Sequence, residues 1–110
     1  MIIYLISSEI NNEKLYKIGI TRTDVKKRLK QLKTGNPAIL NIVNQFESKW
    51  AFKIESNLHD RFYNTHISGE WFSLTSEIVS DFTNICEKLH ETFEFLALNN
   101  TWVIEKKLLK

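Results

Sequence analysis

Two short runs of strand-forming residues near the start, Ile2-Ile3-Tyr4-Leu5-Ile6 and Leu15-Tyr16-Lys17-Ile18-Gly19-Ile20, constrain this chain more than anything else in it. β-branched and aromatic residues dominate both runs, which suits a pleated, half-buried surface. Ser7 to Lys14 between them is mostly polar, with Asn11-Asn12 at its centre, and reads as a turn. Strands this close in sequence pair most simply as an antiparallel hairpin. Gly19 ends regular pairing, or lets another backbone or a phosphate approach closely. The second run leads through Thr21 into a basic segment that Thr23 or Asp24 can cap as a helix.

The remaining elements follow from periodicity. Val25, Leu29 and Leu32 form an apolar stripe, with Lys26, Lys27, Lys30 and Lys33 off it. Gly35 and Asn36-Pro37 stop that helix. Leu40 to Phe46 reads as a third strand. From Lys49 to Tyr63 a helix is expected: Trp50, Ile54, Leu58 and Phe62 make one buried ridge, and Ala51, Glu55 and His59 a parallel one at its edge. Asn64 to Gly69 reads as a connector and Glu70 to Leu74 as a short strand. Thr75 or Ser76 then caps a helix carrying Ile78, Phe82, Ile85, Leu89 and Phe93 on one face, which Asn99-Asn100 breaks. The tail, Trp102-Val103-Ile104 with Lys106, Lys107 and Lys110, is open between a strand, a short helix and an oligomer contact. The expected fold is α+β: a small, mostly antiparallel sheet of three core strands plus a short extra strand, flanked by helices. One domain is expected, with a core over 1–74 and a C-terminal helix and tail over 75–110 packed on it.

The net charge is only +2, but it is unevenly spread. Eight Lys or Arg stand between Lys14 and Lys33 against the single Asp24, and five acidic residues between Glu77 and Glu94 against the single Lys88. A basic N-terminal face of this kind attracts phosphates. The lone cysteine, Cys86, excludes an internal disulfide or a cysteine zinc site, and fits a reducing cytoplasm. The leading apolar run is too short for a signal peptide and no run is long enough to span a membrane, so a soluble intracellular protein is expected.

Several polar residues stand where apolar ones would be cheaper. Tyr4 and Lys17 are mid-strand, Arg28 adjoins Leu29, and Glu55 and His59 share one helical ridge. Together they supply the parts a phosphodiesterase needs. Glu55 is a carboxylate for a divalent metal such as Mg2+ or Mn2+. Arg28 is a planar fork for phosphate. Tyr4 or Lys17 can accept a proton, and His59 can assist or bind phosphate. His66 and His90 read as structural. No HExxH or Cys-His spacing supports zinc catalysis.

Five blocks, in order, carry a resemblance: Ile-Tyr-Leu, Tyr-Lys-Ile-Gly-Ile-Thr, Arg-Leu-Lys-Gln-Leu-Lys-Thr-Gly-Asn-Pro, Glu-x-x-x-His-x-Arg-Phe and Gly-Glu-Trp-Phe. The chain resembles the GIY-YIG endonuclease superfamily over roughly residues 2–74, in particular the divergent branch of phages and mobile elements whose second motif reads KIG. The resemblance implies a three-stranded antiparallel sheet flanked by helices, and single-metal cleavage of DNA with a tyrosine-assisted water attack. By position Tyr4 matches the first-motif tyrosine, Arg28 the helix arginine and Glu55 the metal-binding glutamate. The first motif lacks its glycine, having Ile2-Ile3-Tyr4, and Lys17 stands where the second tyrosine belongs. Tyr16 should point away from Lys17, because strand residues alternate in facing. Three options remain for the chemistry. Tyr4 or Lys17 transfers the proton, Lys17 grips phosphate while Tyr4 acts, or activity is lost.

The expected function is therefore a Mg2+- or Mn2+-dependent DNA endonuclease. Tyr4, Lys17, Arg28 and His59 would be catalytic and Glu55 the metal ligand. Lys26, Lys27, Lys30 and Lys33 would bind the DNA backbone. Tyr16, Thr21, Arg61 and Glu70 would be in support, with Glu70 fixing Arg61 or a basic neighbour. The alternatives are a catalytically degenerate nucleic-acid-binding module and a protein-interaction domain. A homodimer contact or a targeting partner would complete the assembly.

Overall fold

The computed structural model describes the backbone of residues 1–108 and the side chains of residues 1–99. The chain forms β1 (Ile2–Ile10), β2 (Glu13–Thr21), α1 (Val25–Lys33), β3 (Ile39–Glu47), α2 (Ala51–Arg61), a 3-10 turn over Tyr63–Thr65, β4 (His66–Ser68), β5 (Trp71–Phe72) and α3 (Ser76–Leu108). The strands make one antiparallel sheet in the order β3-β1-β2-β5-β4. The α+β expectation holds, but the sheet has five strands. The segment expected as a plain connector contributes β4, whose His66 pairs with Phe72.

The hairpin is tighter than its polarity suggests. Pairing continues to Ile10 opposite Glu13, so the turn is Asn11-Asn12 alone. Both asparagines have positive φ, 51° and 65°. That is what a two-residue hairpin turn matching the sheet twist requires, and asparagine tolerates it better than most residues. The polar residues on either side belong to the strands, with Glu9 directly opposite Lys14. Polarity there marks the hairpin's exposed end rather than a loop.

Strand β1 is buried on both faces because its neighbours pair on both edges and helices cover both sides. Ile3 and Leu5 join Tyr16, Ile18 and the α2–α3 residues Ile54, Leu58, Phe62, Phe82, Cys86 and Leu89. Tyr4 and Ile6 face the other way, onto Val25 and Leu40, with Leu29, Leu32 and Trp71 packed around them. Each fully buried aliphatic side chain contributes about 1.5–3 kcal/mol. The predicted ridge on α2 and the predicted stripe on α1 are both where the structure buries them.

Asp24, not Thr23, caps α1: its side chain accepts the backbone N–H of Lys26 at 2.9 Å. Thr23 bonds Thr21 instead. At the other end of the chain, α3 does not break at Asn99-Asn100. Neither glycine nor proline occurs there, and Asn99 Nδ2 donates to the Phe95 carbonyl one turn back at 2.7 Å, so its side chain stays within the helix. Residues 102–104 continue the same helix, while Lys110 lies outside the described residues.

Candidate active site

The site is built where β1, β2, α1, α2 and the turn before β5 converge. Register places Tyr4 opposite Gly19, and Lys17 between Ile6 and Trp71. Period-2 alternation then puts Tyr4, Lys17 and Gly19 on the α1 side of the sheet. Tyr16 packs on the other side, in the core with Ile18 and Phe72. Tyr16 therefore does not substitute for Lys17, as its spacing predicts.

Tyr4 is 1% exposed. The phenol end of its ring covers Gly19, so closely that a Cβ on Gly19 would overlap it. The close approach anticipated at Gly19 is therefore made by a side chain of the same sheet. From α1, Arg28 Nε donates to the Tyr4 hydroxyl at 3.4 Å, and Arg28 Nη1 donates to Gln31 Oε1 at 3.3 Å. The bond to Tyr4, helped by the field of Glu70 and opposed by burial, raises the Arg28 guanidinium above its ordinary pKa and keeps it cationic.

Lys17 is buried, and its Nζ pairs with Glu70 Oε2 at 2.5 Å. The same ammonium stands 5.6 Å from the centre of the Trp71 ring. Glu70 was expected beside Arg61 or another basic neighbour. The structure pairs it with Lys17, while Arg61 is exposed at the end of α2, where its charge acts on Cys86. The pairing follows from β5 adding to the free edge of β2, which brings the residue before Trp71 alongside Lys17.

On α2, Glu55 faces this group. Its Oε2 is shut off from solvent and has no hydrogen-bond partner. Burial, then the negative charge of Glu70, push the Glu55 carboxyl above the usual carboxylate range, while His59 and Lys17 pull it down. His59, one turn on, does not reach Glu55 as a partner. Its Nε2 lies 2.9 Å from the Ile18 carbonyl and donates to it, and its ring meets Phe72 edge-on at 4.8 Å. The bond ties α2 to β2 beside Gly19, so His59 positions the site.

Thr21 has a structural part: its hydroxyl accepts the Thr23 N–H at 3.1 Å, turning the chain into α1. Lys26, Lys27, Lys30 and Lys33 are exposed along α1. Trp71 and Gln31 are contacts that sequence reading missed. The place of Trp71 beside Lys17 depends on an edge pairing of two residues.

An orphaned, desolvated carboxylate oxygen fits a hard cation such as Mg2+ or Mn2+, which takes oxygen ligands and keeps several waters. Among the described residues no group of three or more His, Cys, Asp or Glu could hold a metal, so Glu55 would be the protein's main contribution to such an ion. No helix of the described residues is long and apolar enough to cross a membrane. The family model of the T5orf172 domain matches residues 1–95. No curated protein and no solved structure matches the chain.

Proposed function

The chain belongs to the T5orf172 domain family, a nuclease-type domain, and from that premise we propose that it is a divalent-metal-dependent DNA endonuclease of GIY-YIG type. The observation that carries this reading is Glu55 Oε2, a carboxylate oxygen enclosed without a partner beside Lys17 and His59. Leaving such an atom unsatisfied costs about 1–3 kcal/mol, more if charged, and persists most readily where a ligand will satisfy it. Mg2+ or Mn2+ held by Glu55 would supply positive charge at the scissile phosphate and acidify a water.

The chain's own groups do the rest. Arg28 presents a fixed cation to the phosphate oxygens as charge builds on them. The Tyr4 hydroxyl accepts from Arg28 and is thereby oriented to exchange a proton with an attacking water. Lys17 grips phosphate. His59 holds α2 against β2 so that Glu55 keeps its place. Lys26, Lys27, Lys30 and Lys33 bind the DNA backbone without reading sequence, which makes affinity fall with salt. Exposed Phe95, Leu96 and Leu98 on α3 are where a second copy or a targeting partner would dock. The single buried cysteine suits a cytoplasmic setting.

Nicking of supercoiled plasmid with Mg2+ or Mn2+ tests the proposal. Wild type should nick, and Glu55→Gln should not, while keeping its fold by circular dichroism. One observation favours a second reading, a degenerate DNA-binding module: the position of the second tyrosine holds Lys17, already paired with Glu70. Salt-dependent DNA binding without nicking under either metal would select that reading. Absence of any DNA binding would sink both.

A further inference from the structure

We propose that the Glu70 carboxylate occupies, in the free protein, the position where Lys17 takes a phosphodiester oxyanion, so that DNA must displace it to enter. This rests on the nuclease reading above and adds an internal competitor to it. Lys17 cannot stand alone: its side chain is only 10% exposed, and a buried ammonium needs an anion. Glu70 supplies that anion, yet its own side chain is 39% exposed. Its backbone is pinned, because its carbonyl accepts the Ile18 N–H at 3.2 Å and the next residue, Trp71, pairs with Lys17 in the ladder. The carboxylate can therefore rotate into solvent while the sheet stays put.

The same carboxylate is felt beyond Lys17. Its field raises Arg28, which comes from a different element. Only Lys17 is in contact with that oxyanion; Arg28, held by Tyr4 and Gln31, feels its field at longer range. A phosphodiester carries one negative charge and oxygen acceptors of the same kind, and it satisfies the Lys17 ammonium as the carboxylate does. Displacement exchanges one ion pair for another, so Lys17 is never left buried without a partner. A lysine is tolerable at this position for that reason, and it presents a phosphate grip only once DNA arrives. The charge of Glu70 also opposes a phosphate's approach until it swings away.

The test uses the full chain, a short fluorescent duplex, EDTA to remove metal, and salt titration by anisotropy. Glu70→Gln should bind about tenfold tighter near 0.1 M salt with the log–log salt slope unchanged, because Lys17 neutralises the same phosphate in both complexes once Glu70 is displaced. Lys17→Met, an apolar side chain of similar length, should bind more weakly. Adding Glu70→Gln to Lys17→Met should give no gain. An equal gain in both backgrounds would mean that only bulk charge changed, and would overturn the proposal. Unchanged affinity with a lower melting temperature would reduce Glu70 to a structural pair. Unchanged binding in EDTA with weaker Mn2+ affinity by calorimetry would make Glu70 a metal ligand instead. If wild type nicks DNA while these results fail, this proposal alone falls. If wild type neither nicks nor binds, the nuclease reading falls and takes this one with it.

Discussion

Gly19→Ala should damage stability and cleavage together, through Tyr4. The two residues face each other across the β1–β2 ladder. A Cβ at Gly19 would lie 2.5 Å from Tyr4 Cζ and 3.0 Å from Cε1, against 3.4 Å or more for ordinary contact, so the ring must yield by about 0.9 Å. It has little room, being 1% exposed and packed with Ile6, Val25 and Leu40. Overpacking of this kind costs about 1–3 kcal/mol. Backbone strain does not add to it, because Gly19 is not in the left-handed region. Replacing glycine also stiffens the unfolded chain, which offsets about 0.4–1 kcal/mol. The net expectation is a loss of about 1–2 kcal/mol, read as a shift of about 1 M in the urea midpoint. A tyrosine hydroxyl moved by about 1 Å should also cost about 10²-fold in single-turnover nicking. Tyr4→Leu supplies the control, since it shortens the side chain that collides. In that background Gly19→Ala should cost less than about 0.5 kcal/mol. The same cost in both backgrounds, or full nicking by Gly19→Ala, would refute the reasoning.

Three further outcomes follow from the described contacts. Because burial and Glu70 raise the Glu55 carboxyl, its ionised form opposes folding. That penalty is absent below the ordinary carboxylate range and grows as pH rises through the raised value, so metal-free Glu55→Gln should melt above wild type at neutral pH and converge with it near pH 4; a difference independent of pH would contradict this. Ser48→Ala should cost about 1–3 kcal/mol in urea denaturation, because Ser48 Oγ accepts the Trp50 N–H at 2.9 Å and partners His90 Nδ1 at 2.6 Å. Cys86 should resist a thiol reagent at pH 8 until the protein is unfolded, since burial, partly opposed by Arg61, pushes its thiol up to about 12; rapid labelling of the native protein would count against that burial.

The parts of the fold that sequence makes visible are those set by local period. Every fourth residue of Trp50, Ile54, Leu58 and Phe62 buries one side of α2, and Val25, Leu29 and Leu32 bury one side of α1. What escapes is governed by backbone state rather than polarity. Asn11-Asn12 closes a two-residue turn because both residues adopt positive φ, and the polar residues beside them are then free to pair as strands. Asn99-Asn100 looks like a stop of the same composition. Within α3, however, Asn99 bonds back to Phe95, and helical conformation persists. One residue type thus reads as a break in both places, and only the neighbouring hydrogen bonds decide which break occurs.

The site divides along a similar line. That Tyr16 and Lys17 face opposite ways needs only the alternation of a strand, and that Glu55 and His59 stand together needs only the pitch of a helix. Partners lie at long range, and two of them were not legible. That the basic neighbour of Glu70 is Lys17 and not Arg61 follows from a two-residue strand adding to the edge of β2, a register that no local pattern specifies. His59 spends its Nε2 on the Ile18 carbonyl rather than on Glu55, across 41 residues of sequence. Glu55 Oε2 is left without a hydrogen-bond partner. The first two facts account for the third: the His59 side chain is spent docking α2 onto β2, and the neighbouring cation is already satisfied by a different carboxylate. The buried carboxylate was legible as a residue out of place at the edge of an apolar ridge. Its lack of a partner, which makes it a candidate ligand rather than half of an ion pair, is a property of the assembled sheet edge alone.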